Sequence, residues 1–152
     1  LLETEPDLDA LIVPVGGGGL LAGTILAAQA YGKEGIEVYA GEPYEVDDAF
    51  RSLTSGKIEC NLSVDTIADG LRTQLGDVNF PIIKEGVKAI IRVRENEIIS
   101  AMRLIWQRMK IVVEPSSAVA LAVLIKERPL FEGKKVGIIL SGGNVDLDNL
   151  PF

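Results

Sequence analysis

Four consecutive glycines, Gly16 to Gly19, stand between the apolar run Ala10-Leu-Ile-Val-Pro-Val15 and the apolar stretch Leu20 to Tyr31. The first run is short, as a strand buried in a parallel sheet is. The second carries Ala22, Ala27, Ala28 and Ala30 and is apolar nearly all round, which reads as a buried helix. A buried strand that feeds a buried helix through glycine belongs in a layered α/β fold.

The rest of the chain repeats the alternation. Glu37 to Gly41 reads as a second strand, Asp47 to Leu53 as a helix, and residues 55–76 as a long loop with short helical pieces. Phe80 to Val87 is predicted helical, and Ala89 to Val93 is a third strand. A helix starts at Glu95, because Ile98, Ile99, Met102, Ile105, Trp106 and Met109 recur at helical spacing. Pro115 opens another that runs to Lys126, and Lys134 to Leu140 is a last strand ending in Ser141-Gly142-Gly143-Asn144. This order predicts an α/β fold, a three-layer parallel sheet with helices on both faces, with residues 1–152 forming one domain or part of a larger one.

Composition removes whole classes of function. There is no His in the chain, which excludes Ser-His-Asp and Cys-His pairs, His-ligated zinc and histidine general bases. The single Cys60 excludes a disulfide scaffold and suits a reducing, cytoplasmic setting. Lys and Arg number 15 against 22 Asp and Glu, a net charge of −7, so no nucleic-acid partner is expected. No membrane partner is expected either, since Gly16 to Tyr31 is shorter than the roughly 20 residues of a membrane span. The chain begins without Met and reads as a segment of a longer or processed protein.

Two loops carry candidate chemistry. Glycines Gly16 to Gly19 let successive amides point one way, and the following helix adds the positive end of its dipole, which makes a phosphate cradle. The loop lacks the Lys-Ser/Thr of a P-loop and the GxGxxG spacing of a dinucleotide site, so a small monophosphate fits it better. Ser141 to Asn144 follow a strand too, and the carboxyl ends of parallel strands line one crevice. Taken alone that loop is equally a plain turn. Glu114 is equally a helix N-terminal cap, and spacing alone favours a solvated acidic helix start for Glu42 and Asp48.

The pieces Val13-Pro-Val-Gly-Gly-Gly-Gly19, Tyr39-Ala-Gly-Glu-Pro43 with Asp47-Asp48, and Thr66-Ile-Ala-Asp-Gly70 resemble one known family. Arg108-Met-Lys110, Glu114-Pro115 and Leu140-Ser-Gly-Gly-Asn-Val-Asp-Leu147 continue the match in order. The chain resembles the C-terminal half of the serine racemase and serine/threonine dehydratase family, pyridoxal-phosphate enzymes of fold type II, tryptophan synthase β-like. The resemblance implies that Gly16, Gly17, Gly18 and Gly19 hold the phosphate of pyridoxal 5'-phosphate and that Ser141 meets its pyridine nitrogen. A neutral hydroxyl does not keep that nitrogen protonated, which suits elimination or racemisation over transamination. Gly70, Glu114 and Asn144 are implied to border the cofactor. Glu42, Asp48 and the Val46 carbonyl are implied to bind Mg²⁺, Mn²⁺ or Ca²⁺, hard ions that prefer oxygen ligands. Lys110 and Asn144 also match positions near a nucleotide-effector site, and a homodimer is implied.

One departure matters. The family's Schiff-base lysine sits in a Ser-Phe-Lys-x-Arg-Gly-like motif upstream of the glycine loop, and all eight lysines here follow that loop. The segment is therefore expected to hold cofactor and cation without running the reaction alone. The parent is expected to be a dehydratase or racemase for serine, threonine or 3-hydroxyaspartate, a small amino-acid substrate. The rival reading is a non-catalytic phosphate-binding or interaction domain.

Overall fold

Side-chain direction along β1 (Ala10–Pro14) decides the layering. All five residues are buried, with Ala10 and Ile12 in one core and Leu11 and Val13 in another on the opposite face. The computed structural model describes residues 1–152. In it β1 pairs in parallel with β2 (Glu37–Pro43) on one side and β4 (Val136–Ile138) on the other. β3 (Val87–Val93) lies beyond β2, also parallel, so the sheet order is β3-β2-β1-β4.

Helices α4 (Glu95–Met109) and α5 (Pro115–Lys126) cover the first face, where Ile98, Met102, Ile105, Val119 and Val123 pack against Ile12 and Tyr39. On the second, α1 (Gly19–Tyr31) and α3 (Asn79–Gly86) bring Leu21, Ile25, Phe80 and Ile83 onto Leu11, Val13 and Val38. Each such fully buried aliphatic contributes about 1.5–3 kcal/mol, so both faces are strongly specified. The expected three-layer architecture is present. None of the helices is long and apolar enough to cross a membrane.

Local signals set the helix ends. The Glu97 carboxylate accepts the Arg94 N–H at 2.6 Å and starts α4, while Pro115 fixes the first turn of α5. The short α2 (Asp48–Ser55) starts differently. Its first amides, those of Ala49 and Phe50, each donate at 2.9 Å to Glu42, which lies at the end of β2. Residues 55–76 contain one short 3₁₀ turn, Asp69–Leu71.

Most expected elements fall within two residues of their predicted bounds, but β4 is three residues long where seven are expected. At its start the Lys135 carbonyl still accepts the Asp9 N–H at 2.8 Å, but the Lys135 N–H turns to the Asp9 carboxylate at 2.6 Å instead of to a strand carbonyl. At the other end Ile139 donates to the Ile12 carbonyl at 3.0 Å, and there the partner strand reaches Pro14, which has no N–H to continue the ladder.

Candidate functional site

The connection from β1 to α1 is built almost wholly of glycine. Gly18 precedes α1 with φ +86°, and a Cβ there would lie 2.7 Å from Leu75 Cδ1 and 2.8 Å from Ile83 Cδ1. Both the backbone and the packing therefore require glycine at this position. None of the amides from Gly16 to Leu21 has a backbone acceptor. Six consecutive donors thus stand at the positive end of a 13-residue helix whose first turn holds no acidic side chain. The loop is held from behind, where Gly76 N–H at 3.1 Å and Asn79 Nδ2 at 2.8 Å donate to the Gly17 carbonyl.

A cleft of about 210 Å³ opens over these amides, and Gly70, Glu114, Ser116 and Ser141 complete its wall. The first turn of α5 draws the other loops to it. Ser116 Oγ accepts the Gly70 N–H at 3.1 Å. Glu114 N–H donates to the Gly142 carbonyl at 3.1 Å, and Glu114 Oε2 accepts the Asn144 N–H at 3.0 Å. The carboxylate comes so close that a Cβ at Gly142 would lie 2.6 Å from Glu114 Oε2 and would push that side chain aside. Ser117 Oγ bonds Gly142 on both sides, accepting its N–H at 2.6 Å and donating to its carbonyl at 2.8 Å. A larger cavity of about 400 Å³ lies under Leu1 and Leu2 against α1, with few polar groups to orient a ligand.

A second polar site lies behind the cradle. Glu42 and Asp48 are each 1% exposed, and no third His, Cys, Asp or Glu joins them in a cluster of metal-ligating side chains. Burial pushes the Glu42 carboxyl up to about 8 even though the Ala49 and Phe50 amides favour its charged form. Burial raises Asp48 too. Asp48 Oδ2 accepts the Leu75 N–H at 2.7 Å, whereas Asp48 Oδ1 is buried with no partner. The Val46 carbonyl also receives no backbone hydrogen bond. Neighbouring Asp47 is engaged by Arg51 and Arg92, each at 2.7 Å, so those cations neutralise Asp47.

Residues 1–142 match the family described as pyridoxal-phosphate dependent enzyme. The chain belongs to that family. It is 51% identical to serine racemase of Dictyostelium discoideum over 99% of this chain and 47% of the relative. It is 45% identical to β-hydroxyaspartate dehydratase of Paracoccus denitrificans over 100% of this chain and 48% of the relative. The crystal structure of serine racemase from Dictyostelium discoideum superposes with a TM-score of 0.89 at 52% identity, over 96% of this chain and 47% of that one. The chain thus spans about half the length of the relatives it matches.

The cleft suits the family's cofactor. Unpaired amides at a helix start answer a phosphate, and a neutral hydroxyl on the opposite loop answers a pyridine nitrogen. At the second site the orphaned Asp48 Oδ1 and the Val46 carbonyl are oxygen donors of the kind a hard divalent ion takes, whereas both Glu42 oxygens already accept amides. Of the residues singled out in the sequence, Gly16 to Gly19, Gly70, Glu114 and Ser141 line one cleft, and Asn144 joins it through its backbone. Glu42 and Asp48 are buried around the start of α2 behind it, and Val46 lies in the turn between them. Lys110 closes α4 at φ +61° and is exposed, and no hydrogen bond joins it to Asn144. Sequence reasoning missed Ser116 and Ser117. Two serines in the first turn of a helix carry no signal by themselves, because Ser and Thr are common there.

Proposed function

We propose that this chain is the half of a pyridoxal-phosphate-dependent racemase or dehydratase that holds the cofactor's phosphate, its ring nitrogen and a divalent cation. When bound, pyridoxal phosphate supplies the electron sink that acidifies the α-proton of an amino acid. The amides of Gly16 to Leu21 bind and orient the phosphate. Ser141 hydrogen-bonds the ring nitrogen without charging it, and the Gly70 loop, fixed by Ser116, walls the substrate side. Glu114 holds the Asn144 backbone and so keeps the Ser141 loop closed on the cleft. Glu42, Asp48 and the Val46 carbonyl would hold Mg²⁺, Mn²⁺ or Ca²⁺. Asp48 also grips Leu75, and the next residue grips Gly17, so the cation would stiffen the cradle from behind.

The observation that carries this reading is the convergence of six unpaired amides and one neutral hydroxyl on a single cleft. None of the eight lysines lines it, so the covalent attachment of the cofactor comes from elsewhere in the whole protein. Substrate follows the relatives: serine, threonine or 3-hydroxyaspartate, with loss of the α-proton leading to reprotonation or to loss of the β-hydroxyl, keto acid and ammonia. A homodimer, a nucleotide effector near Lys110 and Asn144, and a cytoplasmic setting complete the proposal for the whole protein. The test is an assay of the full-length, cofactor-loaded protein for D-serine, keto acid and ammonia from L-serine, L-threonine and 3-hydroxyaspartate. Turnover of at least one supports the reading. A cofactor-loaded protein that turns over none would leave a binding domain.

A further inference from the structure

Ser117 lies in the first turn of α5, is 0% exposed, and directs its hydroxyl wholly at the loop after β4. Its oxygen accepts the Gly142 N–H at 2.6 Å and donates to the Gly142 carbonyl at 2.8 Å, and Ser141 Oγ lies 3.4 Å away. A hydroxyl has one proton. With that proton on the carbonyl, Ser117 can meet Ser141 only as an acceptor, and at 3.4 Å the bond is long and weak. A stronger acceptor that enters the cleft takes the Ser141 proton instead.

We infer that Ser117 is the positioning residue for the Ser141 hydroxyl: it fixes the Ser141–Gly142 peptide and leaves Ser141 as a hydrogen-bond donor to a heteroaromatic nitrogen. The inference rests on the reading of Ser141 as the ring-nitrogen partner. Ser117 acts on the ring only through Ser141 and Gly142. The loop also has two attachments to α5 that do not involve Ser117, Glu114 N–H to the Gly142 carbonyl and Asn144 N–H to Glu114 Oε2. Truncating Ser117 therefore leaves the loop tethered but leaves the Gly142 N–H unpaired, so the hydroxyl next to it loses its fixed direction.

The test uses the full-length protein loaded with pyridoxal 5'-phosphate. The cofactor's dissociation constant and the pH dependence of its bound absorption are compared in wild type, Ser117→Ala, Ser117→Thr and Ser141→Ala. Ser117→Ala is expected to weaken binding about tenfold, the scale of one lost buried hydrogen bond. It should shift the absorption midpoint in the same direction as Ser141→Ala, by less. Ser117→Thr, which keeps the hydroxyl, should restore the wild-type midpoint. If Ser141→Ala shifts the midpoint and Ser117→Ala does not, the positioning role is wrong and the ring-nitrogen reading stands. A midpoint unmoved in both variants removes the ring-nitrogen reading as well. Lower melting temperature with an unchanged spectrum in Ser117→Ala, or a folded Ser117→Thr that behaves like Ser117→Ala, would likewise overturn it.

Discussion

Gly18 and Gly19 are neighbours with different duties, and substitution separates them. Alanine at Gly18 meets a left-handed backbone and two apolar side chains within 2.8 Å. The conformational term of about 1 kcal/mol and the overpacking term of about 1–3 kcal/mol add, so Gly18→Ala should lower the melting temperature of the full-length protein by several degrees. Gly19 lines the cleft, and a Cβ there has nothing within 4 Å. Gly19→Ala should keep the melting temperature and reduce pyridoxal-phosphate affinity about tenfold, the equivalent of about 1.4 kcal/mol. Equal effects of the two in both assays would merge the roles. The buried Asp48 Oδ1 makes a matching prediction for the cation. Chelation should lower thermal stability and added Mg²⁺, Mn²⁺ or Ca²⁺ restore it, by about 2.7 kcal/mol at a hundredfold excess over the dissociation constant. Glu42→Gln with Asp48→Asn should abolish that response. A melting temperature blind to chelator in metal-loaded wild type would return both acids to a purely structural role.

Among the elements, β2 is the one that ties the sheet together electrostatically. Glu37 at its start pairs with Lys88 of β3 at 2.9 Å and with Lys134, just before β4, at 2.6 Å, and it accepts the Tyr39 hydroxyl at 2.9 Å. The Lys134 and Lys88 ammonium groups hold its carboxyl down at about 2, against 4.5 unperturbed. A depressed carboxyl stabilises the fold above its unfolded value and loses that contribution as pH falls through the folded one. Glu37→Gln should therefore destabilise the protein at pH 7, and the gap from wild type should close between about pH 4.5 and 2. A gap that persists at pH 2 would assign the loss to packing. The elements themselves were largely legible: the glycine loop placed β1 and α1, helical spacing placed α4, and Pro115 placed the start of α5. β4 was overestimated because Val136 to Leu140 is an unbroken run without a charge, and only the pairing partner reveals that Pro14 ends the ladder. Ser116 and Ser117 were not legible as site residues, since the targets of a helical hydroxyl are set by tertiary contact and not by spacing.

At the scale of the whole molecule, a parallel sheet with both faces covered leaves the carboxyl ends of its strands as the ligand edge, and the glycine loop, Ser141 and Gly70 all arrive there. Motif order pointed to the family, while the depth of the cation site did not show, because two acids among four at positions 42–48 look solvated until β2 and α2 bury them. In the proposed function the Gly16 to Leu21 amides hold the cofactor's phosphate. Amide chemical shifts of the full-length protein, followed while pyridoxal 5'-phosphate and then phosphate-free pyridoxal are added, test it most directly. The phosphorylated compound should move the Gly16 to Leu21 amides strongly, and pyridoxal should move the Ser141 region but leave those six nearly in place. Shifts of equal size with both compounds, or a glycine loop unmoved by either, would contradict the claim.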